Sequence, residues 1–292
     1  DAADGHQLLV DSPLAAYSRN TFAGWTMAGD IAGSFALDLP IRPGGAKAEI
    51  DLALELSGVS SQITALALPV EDIRGSLLYS SESGFAGSEL QGQLWSQGIT
   101  ATAPPGTAQG IEIALAGVID VGQLSPWLQQ PVLGFAQGTA PFEGELRVGG
   151  DFSPALRLRS ELQGVSLEAP RPFGKTSEAV LPLALDLALS SDPRLMLSLG
   201  ERLDLELSFA EGAMQRLQAS IGGTGQTMDC DARFCATGDV SELDLAAWRG
   251  FGERYLFVAR EPADPAPVTR RAGGEGRGSA VTRQRGDDGA RP

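Results

Sequence analysis

Apolar and polar residues alternate with period two along most of this chain. Ile50, Leu52, Leu54 and Leu56 alternate with Asp51, Ala53 and Glu55. From Leu181 to Leu189, Leu183, Leu185 and Leu187 share one parity and Asp186 takes the other. From Leu203 to Phe209, Leu203, Leu205, Leu207 and Phe209 alternate with Asp204, Glu206 and Ser208. Weaker copies occupy Phe35–Leu39, Ile111–Leu115, Leu156–Leu162 and Leu195–Leu199. Period two puts every Leu of a segment on one face of a strand and the carboxylates on the other. Leu favours helices by intrinsic propensity. A helix would scatter these Leu around its circumference, however, so the pattern predicts strands. One-sided strands suit an antiparallel sheet with one wet face.

Turn signals separate the strands: Pro43-Gly44-Gly45, Ser83-Gly84, Pro104-Pro105-Gly106, Gly149-Gly150-Asp151, Asp192-Pro193 and Gly222-Gly223-Thr224-Gly225. The expected class is all-β, built of hairpins and meanders, with one or two short helices. One helix is expected to start with Ser125 as N-cap and Pro126 at its first position. The other is expected around 241–248. Both fall in a weak internal repeat. GVIDVGQLSPW (117–127) and GDVSELDLAAW (238–248) share Gly, Leu124/Leu245 and Trp127/Trp248 at equal offsets. The expected form is a strand end that turns into a helical turn, with its Trp packed over the sheet.

Composition narrows the function. The chain has 292 residues and a net charge of −15, so it lacks the basic surface that nucleic acid requires. No apolar run is long enough for a membrane-spanning helix. Residues 260–292 differ from the rest. Their Arg residues outnumber acids for a net of +2, which leaves −17 on 1–259. The expected division is a folded segment 1–259 and a disordered Arg/Gly/Pro-rich tail 260–292. A membrane-surface or partner arm, and a frame-shifted end foreign to the fold, are alternative readings of that tail.

Catalytic chemistry has little to work with. His6 is the single histidine and has no nucleophile motif beside it. No catalytic, cofactor or metal residue is assigned, and the expectation is a protein that is not an enzyme. Cys230 and Cys235 do not have Cys-x-x-Cys spacing. A disulfide stapling a hairpin in an oxidising compartment is the preferred reading, with two buried thiols the next. Gly222-Gly223-Thr224-Gly225 lacks the Lys-Ser/Thr of a phosphate loop and reads as a hairpin turn. Asp51, Glu55, Asp186, Asp204 and Glu206 read as solvated groups of the wet face. The Leu face must be covered by a second sheet, by closure into a barrel, or by an apolar ligand in a groove.

A resemblance selects among these. ELQGVSLEAPRPFGKTSEAVLPLALDLAL (161–189) resembles a signature of YhdP-like proteins in the AsmA-like superfamily, which includes TamB. The matching residues are Leu162, Gly164, Val165, Leu167, Pro170, Pro172, Gly174, Lys175, Pro182 and Leu183. Looser matches run over Ile73–Gln97 and over Ser12-Pro13-Leu14 with Trp25 through Pro40. Arg171 departs from the family pattern. The resemblance implies an internal or C-terminal fragment of a longer protein, with Asp1 at a cut. It implies an elongated, curled antiparallel sheet with an apolar groove. It further implies a periplasmic protein tethered to the inner membrane in its full length. Its partners would be phospholipid acyl chains, and membranes reached through the missing parts of the chain. The groove residues expected from the longest apolar lines are Leu52, Leu54, Leu56, Leu183, Leu185, Leu187, Leu203, Leu205 and Leu207. A structural or interaction module with a closed sandwich core is the alternative.

Overall fold

The structure is a computed structural model. It describes residues 7, 25–38, 49–63, 68–104, 111–148, 153–190, 192–210, 213–222, 232–240 and 242–256. Among the described residues it forms, apart from the turns, one long, open, curled mixed sheet of 14 strands with two short helices. The strands are β1 (Trp25–Asp38), β2 (Glu49–Ile63), β3 (Leu68–Ser80), β4 (Glu89–Leu94), β5 (Gln97–Thr102), β6 (Ile111–Asp120) and β7 (Ala136–Val148). They continue as β8 (Ala155–Ser160), β9 (Val165–Leu167), β10 (Leu183–Ala188), β11 (Arg194–Leu199), β12 (Leu203–Ala210), β13 (Ala213–Ile221) and β14 (Phe234–Gly238). Each strand pairs with its neighbour in sequence, except that β10 pairs with β8 and β9 pairs with β7. Hairpin-linked neighbours make a meander, as the closely spaced turn signals require.

One pair breaks the antiparallel rule. β13 and β14 run parallel, with Leu217 opposite Phe234 and Ala219 opposite Ala236, so the sheet is mixed. A parallel pair is not joined by a tight hairpin turn, and the turn expected at 222–225 lies, but for Gly222, outside the described residues. Cys235 sits half-buried on β14 opposite Gln218. Cys230, and with it the expected disulfide, lies outside the described residues. So does the tail 260–292.

The helices are α1 (Leu124–Leu128) and α2 (Leu245–Phe251). Leu124 and Leu245, the equivalent Leu of the internal repeat, each open a helix, and Trp127 and Trp248 each sit at its fourth position. Trp127 packs edge-on to Trp95, and Trp248 to Phe173 and Phe251. The cap of α1 differs from expectation. Ser125 lies inside the helix and donates to the Gln130 carbonyl, while the 3-10 turn Val121–Gln123 ahead of it is capped by Asp120. α2 starts later than expected because Asp244 caps it, accepting from the N–H groups of Ala246 and Ala247.

Burial concentrates in two clusters. One joins Leu56 and Val59 with Met27, Ile31, Leu54, Ile73, Leu77 and Leu90, all from β1–β4. The other joins Val121, Ala140, Leu162, Val165, Leu167 and Leu181, with Leu183 and Leu199 packed against it. Neither joins β1–β4 to β10–β13, so among the described residues no buried cluster makes a sandwich core between the two ends of the sheet.

Candidate functional site: the apolar face

The pairing register decides which side chains share a face, because residues directly opposite each other point to the same side. Starting from Ile31, the partners run Leu56, Gly75, Leu90, Ala101, Leu115 and Gly144. They continue through Leu158, Leu185, Leu197, Leu205, Ala219 and Ala236. This is one residue from every strand of the main path, and none is polar. From β2 to β8 the row alternates large with small. A Cβ at Gly144 would lie 2.5 Å from the Leu158 Cδ2, so Leu158 leans over the glycine. At Gly75 a Cβ would meet the Glu89 carbonyl oxygen at 2.2 Å. Glycine thus lets the strands approach where a larger residue would force them apart.

All nine Leu named from the sequence lie on this face. Leu183, Leu185 and Leu187 stand opposite Leu199, Leu197 and Leu195, which in turn oppose Leu203, Leu205 and Leu207. The result is a three-by-three Leu grid. Leu52, Leu54 and Leu56 lie on the same face but far away along the sheet, on β2. Leu56 and Leu54 belong to the first buried cluster, and Leu183 packs on the second. The other six belong to neither. Phe35 and Leu37 on β1, and Phe234 on β14, are exposed on this face at the two ends of the sheet. Sequence reasoning left Leu156, Leu158, Leu195, Leu197 and Leu199, all in weaker copies of the pattern, out of the groove set, and missed Leu217, whose strand does not alternate.

The opposite face is mostly polar, although exposed Leu78 and Met196 lie on it, and around β7, β8 and β10 it carries charges of alternating sign. Glu145 stands opposite Arg157, which stands opposite Asp186. The Arg157 Nε donates to the Asp186 Oδ1 at 2.9 Å, and Arg147 pairs with both Glu112 and Glu145. Glu206 lies 3.5 Å from Arg194, and Asp204 accepts from the Ser198 hydroxyl at 2.6 Å. The carboxylates of β10 and β12 are thus part of a cross-strand ladder, each exposed pair contributing at most about 1 kcal/mol. Two hollows of about 140 and 340 Å³ are lined chiefly by residues of this polar face, among them Asp204, Glu206 and Ser220 in the first and Ser34, Asp51 and Ala53 in the second. Among the described residues no group of three or more His, Cys, Asp or Glu could hold a metal ion.

The most specific sequence motif has a structural use. β8 and β9 both pair with β7 and are separated by Glu161–Gly164, where Leu162 has φ 47° and Gly164 φ 97°. The bend takes nearby carbonyls out of the ladder. The Lys175 ammonium donates to three of them, those of Leu162, Val165 and Thr176. Burial, and secondarily Arg202, lowers the pKa of Lys175 from 10.5. Arg202 itself donates to the Gly174 carbonyl. A Cβ at Gly174 would come within 2.2 Å of the Ala169 oxygen, and one at Gly164 within 2.3 Å of the Thr139 oxygen. These glycines and the lysine form one backbone-pinning unit.

A family model, YhdP protein, matches residues 1–281. The chain belongs to the YhdP family. That membership places it in the AsmA-like group and indicates a lipid-transport-related protein. No curated protein and no solved structure matches. Within the matched residues lie both the Lys175 pin and the open sheet with its continuous apolar row.

Proposed function

We propose that this chain is a non-enzymatic lipid-conduit module. It carries phospholipid between inner and outer membranes, with acyl chains lying on the Leu face. The observation that carries the reading is the apolar row through every strand of the main path, beside which the opposite face is mostly polar. An acyl chain laid along that row takes apolar area out of water, at ~25 cal/mol per Å². Such contact has no direction, so it selects hydrocarbon over headgroup and accepts many diacyl lipids. The setting that suits this role is the periplasm, with the longer protein tethered to the inner membrane. The sandwich alternative lacks support, since each buried cluster is built from neighbouring strands and the segments linking them.

Lipid extraction and mass spectrometry of the purified chain test the reading. Diacyl phospholipid should be recovered with the protein above the level of a matched non-lipid-binding control. Protein carrying no phospholipid after exposure to bilayers contradicts it. A hydrolase activity abolished by changing one Ser or carboxylate would overturn the non-enzymatic part.

A further inference from the structure

The Leu face is not uniform. Between β7 and β13 it carries three rows. Two of them, Leu146–Leu156–Leu187–Leu195–Leu207–Leu217 and Gly144–Leu158–Leu185–Leu197–Leu205–Ala219, give no residue to either buried cluster. The third, through Ser160, Leu183, Leu199, Leu203 and Ile221, borders the second cluster, and Leu183 and Leu199 pack into it. That cluster is built on residues 161–182, which prolong the β8–β10 pair past its last rung. Leu181 N–H donates to the Glu161 carbonyl, Gly164 to Ser177 and Leu167 to Lys175. Val165 and Leu167 also pair with β7 at Gly138 and Ala136. Phe173 at the turn is fixed against Trp248 of α2.

We infer that residues 161–182 are a fixed wall along one side of the apolar face, held by Lys175, and that acyl chains are confined to the two rows beyond it. Lys175 is a positioning residue. Its three donors go to carbonyls of both arms of the prolonged hairpin, so the one ammonium ties the arms together. Its lowered pKa agrees with an ammonium that is partly desolvated. The inference rests on the conduit reading and adds where on the face the lipid lies. Leu183 packs against the wall, while Leu185 and Leu187 are open to lipid.

The test places an aliphatic diazirine residue of about leucine size at Leu183, Leu185 or Leu187 of the whole chain. The protein is incubated with vesicles of phosphatidylethanolamine and phosphatidylglycerol, irradiated, and read by mass spectrometry. Leu185 and Leu187 should capture phospholipid, and Leu183 should stay at background. Lys175→Met should raise label at Leu183 to the Leu185 level and speed amide exchange at Val165 and Leu167. Gly174→Ala is a second route to the same displacement. Equal label at Leu183 and Leu185 in the parent overturns the wall and leaves the conduit reading standing. Loosened amides in Lys175→Met with Leu183 still dark overturn the wall as the barrier. Unchanged exchange in that variant overturns the role of Lys175. No label at any of the three positions overturns the conduit reading, and the wall's role with it.

Discussion

Lys175 joins sequence to fold most tightly. Its ammonium takes the place of ladder partners that the bend at Leu162 and Gly164 removes. Lys175→Met keeps the stem and loses the donors, which takes the ammonium from the Val165 carbonyl and leaves the Leu162 carbonyl with the Val165 N–H alone. The expected cost is about 2 kcal/mol, read as a lower urea midpoint. Arg157→Ala, which breaks an exposed pair with Asp186, should cost less than about 1 kcal/mol in the same assay. Gly138 is a steric counterpart. It has φ 110°, and a Cβ there would lie 2.2 Å from the Gly164 oxygen. Gly138→Ala should therefore cost about 2 kcal/mol or more. Seen in the sequence, Phe173-Gly174-Lys175 is only a turn with a charge. The acceptors are backbone carbonyls freed by a bend, and no side-chain pattern reports them.

Among elements, period two reads β2, β10, β11 and β12 directly because one face is wet and the other dry. It finds only the end of β1 and misses most of β3 and β7. There Pro69 and Asp72, or Gly138, Pro141 and Gly144, interrupt the alternation while the pairing continues across register shifts and close-packed glycines. The nine Leu were legible as one face because register preserves parity from strand to strand. Which of them are packed away was not, since that depends on the wall and on the bulged pairing of β1–β4. The parallel β13–β14 pair was also hidden, because strand direction leaves no mark in local alternation. Of the two helices, α2 has a side-chain cap and α1 has none. Asp244→Ala should cost about 1 kcal/mol of stability. Ser125→Ala should cost only a few tenths, since its hydroxyl is exposed and caps nothing. Equilibrium unfolding of the two variants compares them.

At the scale of the whole molecule, the sheet separates an apolar surface from a mostly polar one. That separation makes a two-sided mutational test possible. Leu185 sits between Leu158 and Leu197, so Leu185→Asp puts an unpaired carboxylate among apolar neighbours. It should abolish phospholipid transfer between donor and acceptor vesicles. Ala184 lies on the other face between Arg159 and Ser198, where Ala184→Asp gains a basic neighbour and should leave transfer near the parent level. The most direct measurement of the central claim is photo-crosslinking from both faces of the same strands. Reactive residues placed at Leu185 and Leu205 should capture phospholipid, and those at Asp186 and Glu206 should not. Equal capture on the two faces, or none on either, would contradict the account.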